Sequence, residues 1–394
     1  MMLDTLLLAA GILAAVTTVP GSLTLALLSL AALLPARATP AGTAPDSVET
    51  GRLALLVPAH DEAESLPRSL PSLIEAVRED AHADLWVIAD NCTDDTAAVA
   101  VAAGASVMVR QSDTKRGKGH ALEYAFERLA AQDYAWIIVI DADSTVDRNF
   151  VTTMRRAMQP GREALQACYL SRPAVTLRGR VARMAQWGYN LVRPLGRTRL
   201  GCSAGLLGNG FALRRSLTTR MPYCAHSVVE DLEYHLMLLA AGVRVHFVRE
   251  AQVLGEIAET GTGARTQRTR WEGGRLRMVR EQAWPLLRQA LRGRTGAVDA
   301  LADLLLLPLG MHLLLVLCAL ILGGTAGVAA GVLGSLALAL YLLAILLRGP
   351  TRRSDLIALA ASPLYLLWKI ALLPATLAHS RRGTAWTRAR RNLE

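Results

Sequence analysis

Two apolar stretches constrain this chain more than any other feature. Thr5 to Ala36 contains no charged residue, and Leu304 to Leu347 contains no Asp, Glu, Lys or Arg. A helix needs about 20 consecutive apolar residues to cross a bilayer, so both runs are long enough to span. Pro20-Gly21 is a candidate kink in the first. Gly323-Gly324-Thr325 divides the second into what reads as two spans, and Gly327 and Gly331, four apart, give one helix a small face for close packing. A secretory signal peptide is a poorer reading of the first run: Asp4 sits where a basic residue belongs, and the run is too long. A third run, Leu356 to Ala378, is apolar except for Lys369. If it crossed, Arg348, Arg352 and Arg353 would face one side and Arg381, Arg382, Arg388, Arg390 and Arg391 the other. The positive-inside rule places both groups in the cytoplasm. A re-entrant or interfacial helix meets that demand and lets Lys369 snorkel. Arg37 and Arg52 follow the first span, which puts the intervening region in the cytoplasm.

The formal net charge is +10, and Lys115, Lys118 and Lys369 are the only lysines among 43 basic residues. With aromatics at 5% and arginines crowded beside apolar runs, the charge reads as the basic face of a membrane protein, and no nucleic-acid partner is expected. Five scattered cysteines without a CxxC pair argue against a disulfide framework or a thiolate zinc site, and suit a reducing compartment.

Between the apolar runs, after a Pro/Thr/Gly-rich linker at 39–51, the pattern changes. Leu53–Val57, Leu85–Ala89, Ser106–Val109 and Trp136–Ile140 read as buried strands, and 63–79, 94–103 and 118–131 as helices between them. Such alternation predicts an α/β fold with a mostly parallel sheet covered on both faces. Ligands bind such sheets beyond the carboxyl ends of the strands. That rule selects His60-Asp61-Glu62, Asp90-Asn91 and Asp141-Ala142-Asp143. Residues 273–294 read as an amphipathic helix, with Leu276, Val279, Ala283, Leu287 and Leu291 at helical spacing and Arg275, Arg277, Arg280, Arg288 and Arg292 elsewhere.

Asp141 and Asp143 can share one hard cation with diphosphate oxygens, although Asp is also common at strand ends. Asp90 can accept from a base N–H or ribose hydroxyls; a helix cap is the plainer alternative. Lys118, in Lys115-Arg116-Gly117-Lys118-Gly119, suits phosphate or a solvated turn equally. Glu230 and Asp231 are either first-turn acids stabilising a helix or a positioned general base. Gln267-Arg268-Thr269-Arg270-Trp271 combines a guanidinium that can grip diphosphate with an indole that can stack on a sugar, unless it is only a basic juxtamembrane stretch.

In chain order, PAHDE (58–62), ADNCTDD (89–95), RGKGHAL (116–122), DADS (141–144), GNGFALR (208–214), VEDLEYHL (229–236) and QRTRW (267–271) cover about 215 residues. This ordered set resembles the membrane-bound family 2 glycosyltransferases, which include cellulose, hyaluronan and chitin synthases and ceramide glucosyltransferase. The resemblance implies a GT-A (nucleotide-diphospho-sugar transferase) domain flanked by transmembrane helices, and inverting transfer from a nucleotide sugar, expected to be a UDP-sugar. It implies Mg²⁺ or Mn²⁺ on Asp141 and Asp143. Glu62, Asp90, Lys118, Asp141, Gln267 and Arg270 would bind the nucleotide sugar. Asp231 would deprotonate the acceptor hydroxyl, and Gly208, Asn209, Gly210, Glu230 and Trp271 would meet the acceptor. The usual Asp-Asp-Gly is Ala89-Asp90-Asn91 here, so one acid is missing. Three spans make a polymer channel within one chain doubtful.

The expected organisation is an N-terminal transmembrane helix (1–38), a cytoplasmic catalytic domain (39–264), the QxxRW segment with an interfacial helix (265–296), two transmembrane helices (297–347), and a re-entrant or interfacial segment with a basic tail (348–394). The expected location is the inner (plasma) membrane, and the expected acceptor a membrane-associated lipid or polysaccharide. A nucleotidyltransferase would explain Asp90 and DxD but leave Glu230-Asp231 and QxxRW idle. A catalytically silent nucleotide-sugar binder is the other alternative.

Overall fold

The computed structural model describes residues 2–35, 49–256, 258–259 and 261–381. Most of the 39–51 linker, Arg37, and the tail arginines from Arg382 onward lie outside the described residues, and with them part of the positive-inside reading. The chain divides into two compact units.

One unit comprises, among the described residues, 49–173 and 203–274. Its eight strands are β1 (Arg52–Ala59), β2 (Ala83–Asp90), β3 (Ser106–Arg110), β4 (Tyr134–Val139), β5 (Thr145–Val146), β6 (Ala164–Ser171), β7 (Phe211–Arg214) and β8 (Val245–Gly255). They form one sheet in the order β3-β2-β1-β4-β7-β6-β8-β5. The first four are parallel to one another, as are β6 and β8, while β7 runs against both of its neighbours. β1 shows why the sheet is central. Leu53, Leu55 and Val57 are buried in one core and Ala54 and Leu56 in the other, so a continuous apolar run serves two covered faces. Fully burying each leucine is worth about 1.5–3 kcal/mol. Helices Leu66–Arg78, Thr96–Ala102 and Lys118–Ala130 fill the crossovers within a few residues of their predicted limits.

The reversed β7 positions the chemistry. Because it runs antiparallel to β4, its first residue lies at the carboxyl end of β4, and Gly210 N donates to Val139 O (2.9 Å). The Gly208-Asn209-Gly210 turn is thereby delivered to the loop carrying Asp141 and Asp143.

The second unit comprises, among the described residues, 2–35, 174–202 and 275–381. Two of its helices, Thr5–Leu33 and Gly324–Arg348, are long and apolar enough to cross a membrane. The 25-residue helix spans about 37 Å, against about 30 Å of hydrocarbon. The other apolar segments are bent pairs. Thr295–Leu304 and Leu309–Leu322 meet at 80°, and Arg353–Leu359 and Ser362–Ala378 at 59°. Leu309–Leu322 alone has 14 residues, about 21 Å, so it reaches across only if its bent partner counts. Its close packing agrees with the glycine spacing: a Cβ on Gly327 would lie 2.5 Å from Ala319 O, and one on Gly331 2.7 Å from Leu320 Cβ.

Three sequence expectations differ here. Residues 174–202, expected inside the catalytic domain, are helical and join the second unit. The reason is charge pairing: Arg183 pairs with Asp355, Arg193 with Asp303 (2.7 Å), and Arg197 with Asp299, all largely buried. Arg275, expected on the polar side of an interfacial amphipathic helix, is buried and donates to the carbonyls of Leu306 (3.2 Å) and Asp303. Its helix is longer than predicted, Gly261–Leu291, and residues up to 274 belong to the first unit. Lys369, expected to snorkel, is 7% exposed, with its stem against Gly310 and its ammonium 5.9 Å from the Tyr365 ring centroid.

Candidate active site

Strand ends and helix starts supply the site. Asp90 closes β2 and Arg110 closes β3, and the parallel register sets them opposite each other. They form a buried ion pair, and Arg110 also donates to Lys115 O (2.8 Å). Asp90 is therefore not a helix cap, and its carboxylate is fixed at the sheet edge. The next residue stands at the glycine position of the family's Asp-Asp-Gly. Asn91 has φ of 51°, a left-handed conformation that asparagine tolerates. Its amide donates to Asp90 (3.0 Å) and accepts from Ser112 N (2.7 Å), so it locks the turn that holds Asp90. Asp61, also left-handed, accepts from Thr93 N (2.6 Å). Asp94 accepts from Ala63 N (3.0 Å), and Glu62 N donates to Thr96 Oγ1 (2.8 Å). Asp94 thus joins the loops after β1 and β2. Glu62 lies half-buried in that junction.

Lys118 begins the helix Lys118–Ala130 after Gly117, whose φ of 113° a side chain would resist. Its Nζ bonds Asp141 and Gly208 O (2.5 Å), and lies 4.0 Å from Glu230 Oε1. Burial pulls the Lys118 ammonium down, but Asp141, Glu230 and Asp231 outweigh it and the net shift is upward. Asp231 lies on the other side of the same turn: a Cβ on Gly208 would come within 3.1 Å of Asp231 Oδ2. Asp231 Oδ1 also accepts from Leu232 N (2.8 Å). Burial raises both acids, Glu230 to about 7, with Lys118 opposing. The cation acting on Asp231 is Lys118.

Gln267, Arg270 and Trp271 lie within one helix, Gly261–Leu291. Burial lowers the Arg270 guanidinium, and Glu230 and Asp141 oppose that shift. Gln267 Oε1 is buried without a hydrogen-bond partner among the described residues. Trp271 has the Arg268 guanidinium 5.7 Å from its ring centroid. One electrostatic cluster therefore contains Lys118, Asp141, Glu230, Asp231 and Arg270.

Asn209, expected to meet the acceptor, is turned into the interior. It is fully buried. Its Oδ1 accepts from Asp141 N (3.1 Å), and its Nδ2 donates to Ser144 Oγ (2.8 Å), which donates to Asp143 Oδ1 (3.1 Å). Its amide braces both carboxylate-bearing positions from behind. Gly210 is likewise structural, since a Cβ there would meet Val253 Cγ2 at 2.8 Å. The sequence reading missed Gln166, whose buried amide accepts from Leu207 N (2.9 Å) and donates to Asn209 O (2.7 Å). It also missed Arg110. Opposite charges closing adjacent strands were a usable signal for Arg110, once strand order was known. Asn209→Ala should lower stability by about 1–3 kcal/mol for the buried groups left unsatisfied. Thermal unfolding in detergent would show it, and an unchanged midpoint would contradict the bracing role.

Residues 136–373, more than half of the chain, match the family described as Glycosyl transferase family group 2. The chain belongs to this family and is a glycosyltransferase with a GT-A-like sheet. No curated protein matches it. Among solved structures, it is similar to a mannosyltransferase from Pyrobaculum calidifontis in complex with GDP-Man and Mn²⁺. The two are 15% identical, with a TM-score of 0.58, covering 96% of this chain and 100% of that one. That likeness concerns the fold. A glucosyl-3-phosphoglycerate synthase from Mycobacterium tuberculosis, in complex with Mn²⁺, UDP and phosphoglyceric acid, is 21% identical over 52% of this chain and 71% of that one. Its TM-score of 0.36 is too low to support a conclusion.

Proposed function

We propose that this chain is an inverting, metal-dependent glycosyltransferase that moves a sugar from a nucleotide sugar to a membrane-associated lipid or polysaccharide. The observation that carries the reading is the junction of Lys118, Asp141, Gly208 and Asp231 at the carboxyl end of β4. A lysine and an acid that would bind the donor stand there beside a helix-borne carboxylate. The apolar helices Thr5–Leu33 and Gly324–Arg348 support a membrane-held acceptor and a multi-pass protein.

Asp141 and Asp143 offer the hard oxygen ligands that Mg²⁺ or Mn²⁺ takes. The Mn²⁺ complex of the Pyrobaculum mannosyltransferase supports the same choice. A metal bound there would place positive charge on the donor diphosphate. Asp90, held by Arg110, would accept from the nucleoside. Arg270 and Lys118 would hold the diphosphate as its C–O bond breaks, acting as preorganised charge. Gln267 would offer its unpartnered carbonyl oxygen to the same site. The acceptor hydroxyl attacks the anomeric carbon from the face opposite the diphosphate. Its proton passes to the Asp231 carboxylate, and the nucleoside diphosphate departs. Trp271 and the Gly208 turn would line the acceptor side, with Glu230 beside them.

The test is product analysis. Purified protein in lipid is offered UDP- and GDP-sugars. Release of nucleoside diphosphate with a new glycolipid or glycan is expected. Pyrophosphate release would instead identify a nucleotidyltransferase, and binding without turnover a silent binder.

A further inference from the structure

The catalytic unit contains a second group of ligating side chains that the sugar-transfer reading does not use. Gly119 brings it together. A Cβ on Gly119 would lie 2.0 Å from Ala225 O, so only glycine allows the start of helix Lys118–Ala130 to meet the segment ahead of helix Glu230–Ala240 this closely. The next residue on each side is a histidine. His120 and His226 stack with ring centroids 3.9 Å apart, nearly parallel at 19°. Glu123, one turn beyond His120, completes the group. Its Oε2 lies 3.0 Å from His226 Nε2 and 3.6 Å from His120 Nδ1.

We propose that His120, Glu123 and His226 form a binding site for Zn²⁺ or a similar borderline divalent ion, which clasps the start of the Lys118 helix to the segment leading to Glu230 and Asp231.

Two imidazoles and one carboxylate are a ligand set that zinc accepts, with water in the fourth position. Ligand atoms around a tetrahedral ion with bonds of about 2.0–2.2 Å stand roughly 3.3–3.5 Å apart. The three ligand atoms here lie within 4.8 Å of one another, so an ion would unstack the two rings, each turning to another rotamer that aims its nitrogen at a shared point. His120 Nδ1 is buried and has no hydrogen bond within 3.5 Å among the described residues, and in the Nε2–H tautomer it offers a lone pair to an ion. Burial and His226 lower the His120 pKa, favouring the neutral imidazole that ligates. Binding at His226 Nε2 releases to solvent any proton that nitrogen shares with Glu123. All three residues are partly open to water, so the ion has a route in. This site differs in kind from Asp141 and Asp143. Nitrogen ligands favour zinc over Mg²⁺, whereas two carboxylates and a diphosphate favour the hard ion.

The test uses the full chain in detergent with saturating Mg²⁺, titrated with Zn²⁺, and with Co²⁺ as a spectroscopic stand-in. One tight equivalent is expected, with the visible absorption of four-coordinate nitrogen-ligated Co²⁺. His226→Ala should weaken binding at least about 100-fold, since even outer partners of metal ligands are worth about 10–100-fold. Glu123→Gln should weaken it as well, and His226→Cys, which retains a zinc ligand, should restore it. Zn²⁺ should raise the unfolding temperature of the parent chain but not of His226→Ala. Asp143→Asn should leave this binding intact, which separates its failure from failure of the sugar-transfer reading. No saturable binding, binding indifferent to His226→Ala, or binding lost only with Asp143→Asn would each overturn the proposal.

Discussion

Asp143→Asn should abolish sugar transfer and remove the dependence of donor binding on Mg²⁺ or Mn²⁺. The carboxylate accepts from Ser144 Oγ, which Asn209 holds in turn, so its position is set by the fold before any ion arrives. The amide keeps that size and shape but brings no charge to a hard cation. Lys118 bears on the size of the effect. It bonds Asp141 and so already neutralises one of the two acids. Losing Asp143 should therefore cost more in metal affinity than the loss of one of two equivalent ligands. Isothermal titration of a nucleoside diphosphate, with and without Mn²⁺, reads the effect directly. The parent should bind far more tightly with metal and the variant about equally in both conditions. Full parental turnover in the presence of chelator would remove the metal from the mechanism.

The parts of this fold that the sequence displays are those whose cause is local. β1, β2 and β4 are unbroken apolar runs because both faces of each are covered, and the helices between them have clear limits. β7 shows the opposite case. It has four residues, and its significance is its direction, which only its partners β4 and β6 define. That direction turns Asn209 inward. Read alone, a small polar residue between two glycines suggests a ligand-facing loop; in the sheet, it becomes a brace for Asp141 and Ser144. Arg110 was hidden for a related reason, since its pairing with Asp90 depends on strand register. The arginines at 183, 193 and 197 were read within the catalytic stretch because their partners, Asp355, Asp303 and Asp299, lie more than a hundred residues away. Asp90, Lys118, Asp141, Asp143, Glu230 and Asp231 were legible because strand ends and helix starts are where a parallel sheet offers its ligands.

Asp231→Asn should separate chemistry from binding. The aspartate begins a helix, touches the Gly208 turn and has Lys118 as its nearby cation, yet the nucleotide would be held chiefly by Asp90, Arg270 and the acids at 141 and 143. A base acts only as the acceptor proton leaves, so its loss should lower turnover and spare the donor complex. General-base catalysis is worth about 10²–10⁴-fold, and the variant should fall by at least roughly 100-fold. Glu230→Gln should cost less, because that acid stands beside Lys118 rather than against the Gly208 turn. The pH profile supplies an independent reading. Burial raises the pKa of both acids, so the ionised form of Asp231 is lost as pH falls, and at a higher pH than for an exposed aspartate. The acidic limb of kcat should therefore lie above the ordinary carboxylate range in the parent and vanish in the residual activity of Asp231→Asn. Donor affinity measured alongside should change little. Near-parental transfer would remove Asp231 as the base. Parallel loss of donor affinity and turnover would place it in the donor site instead.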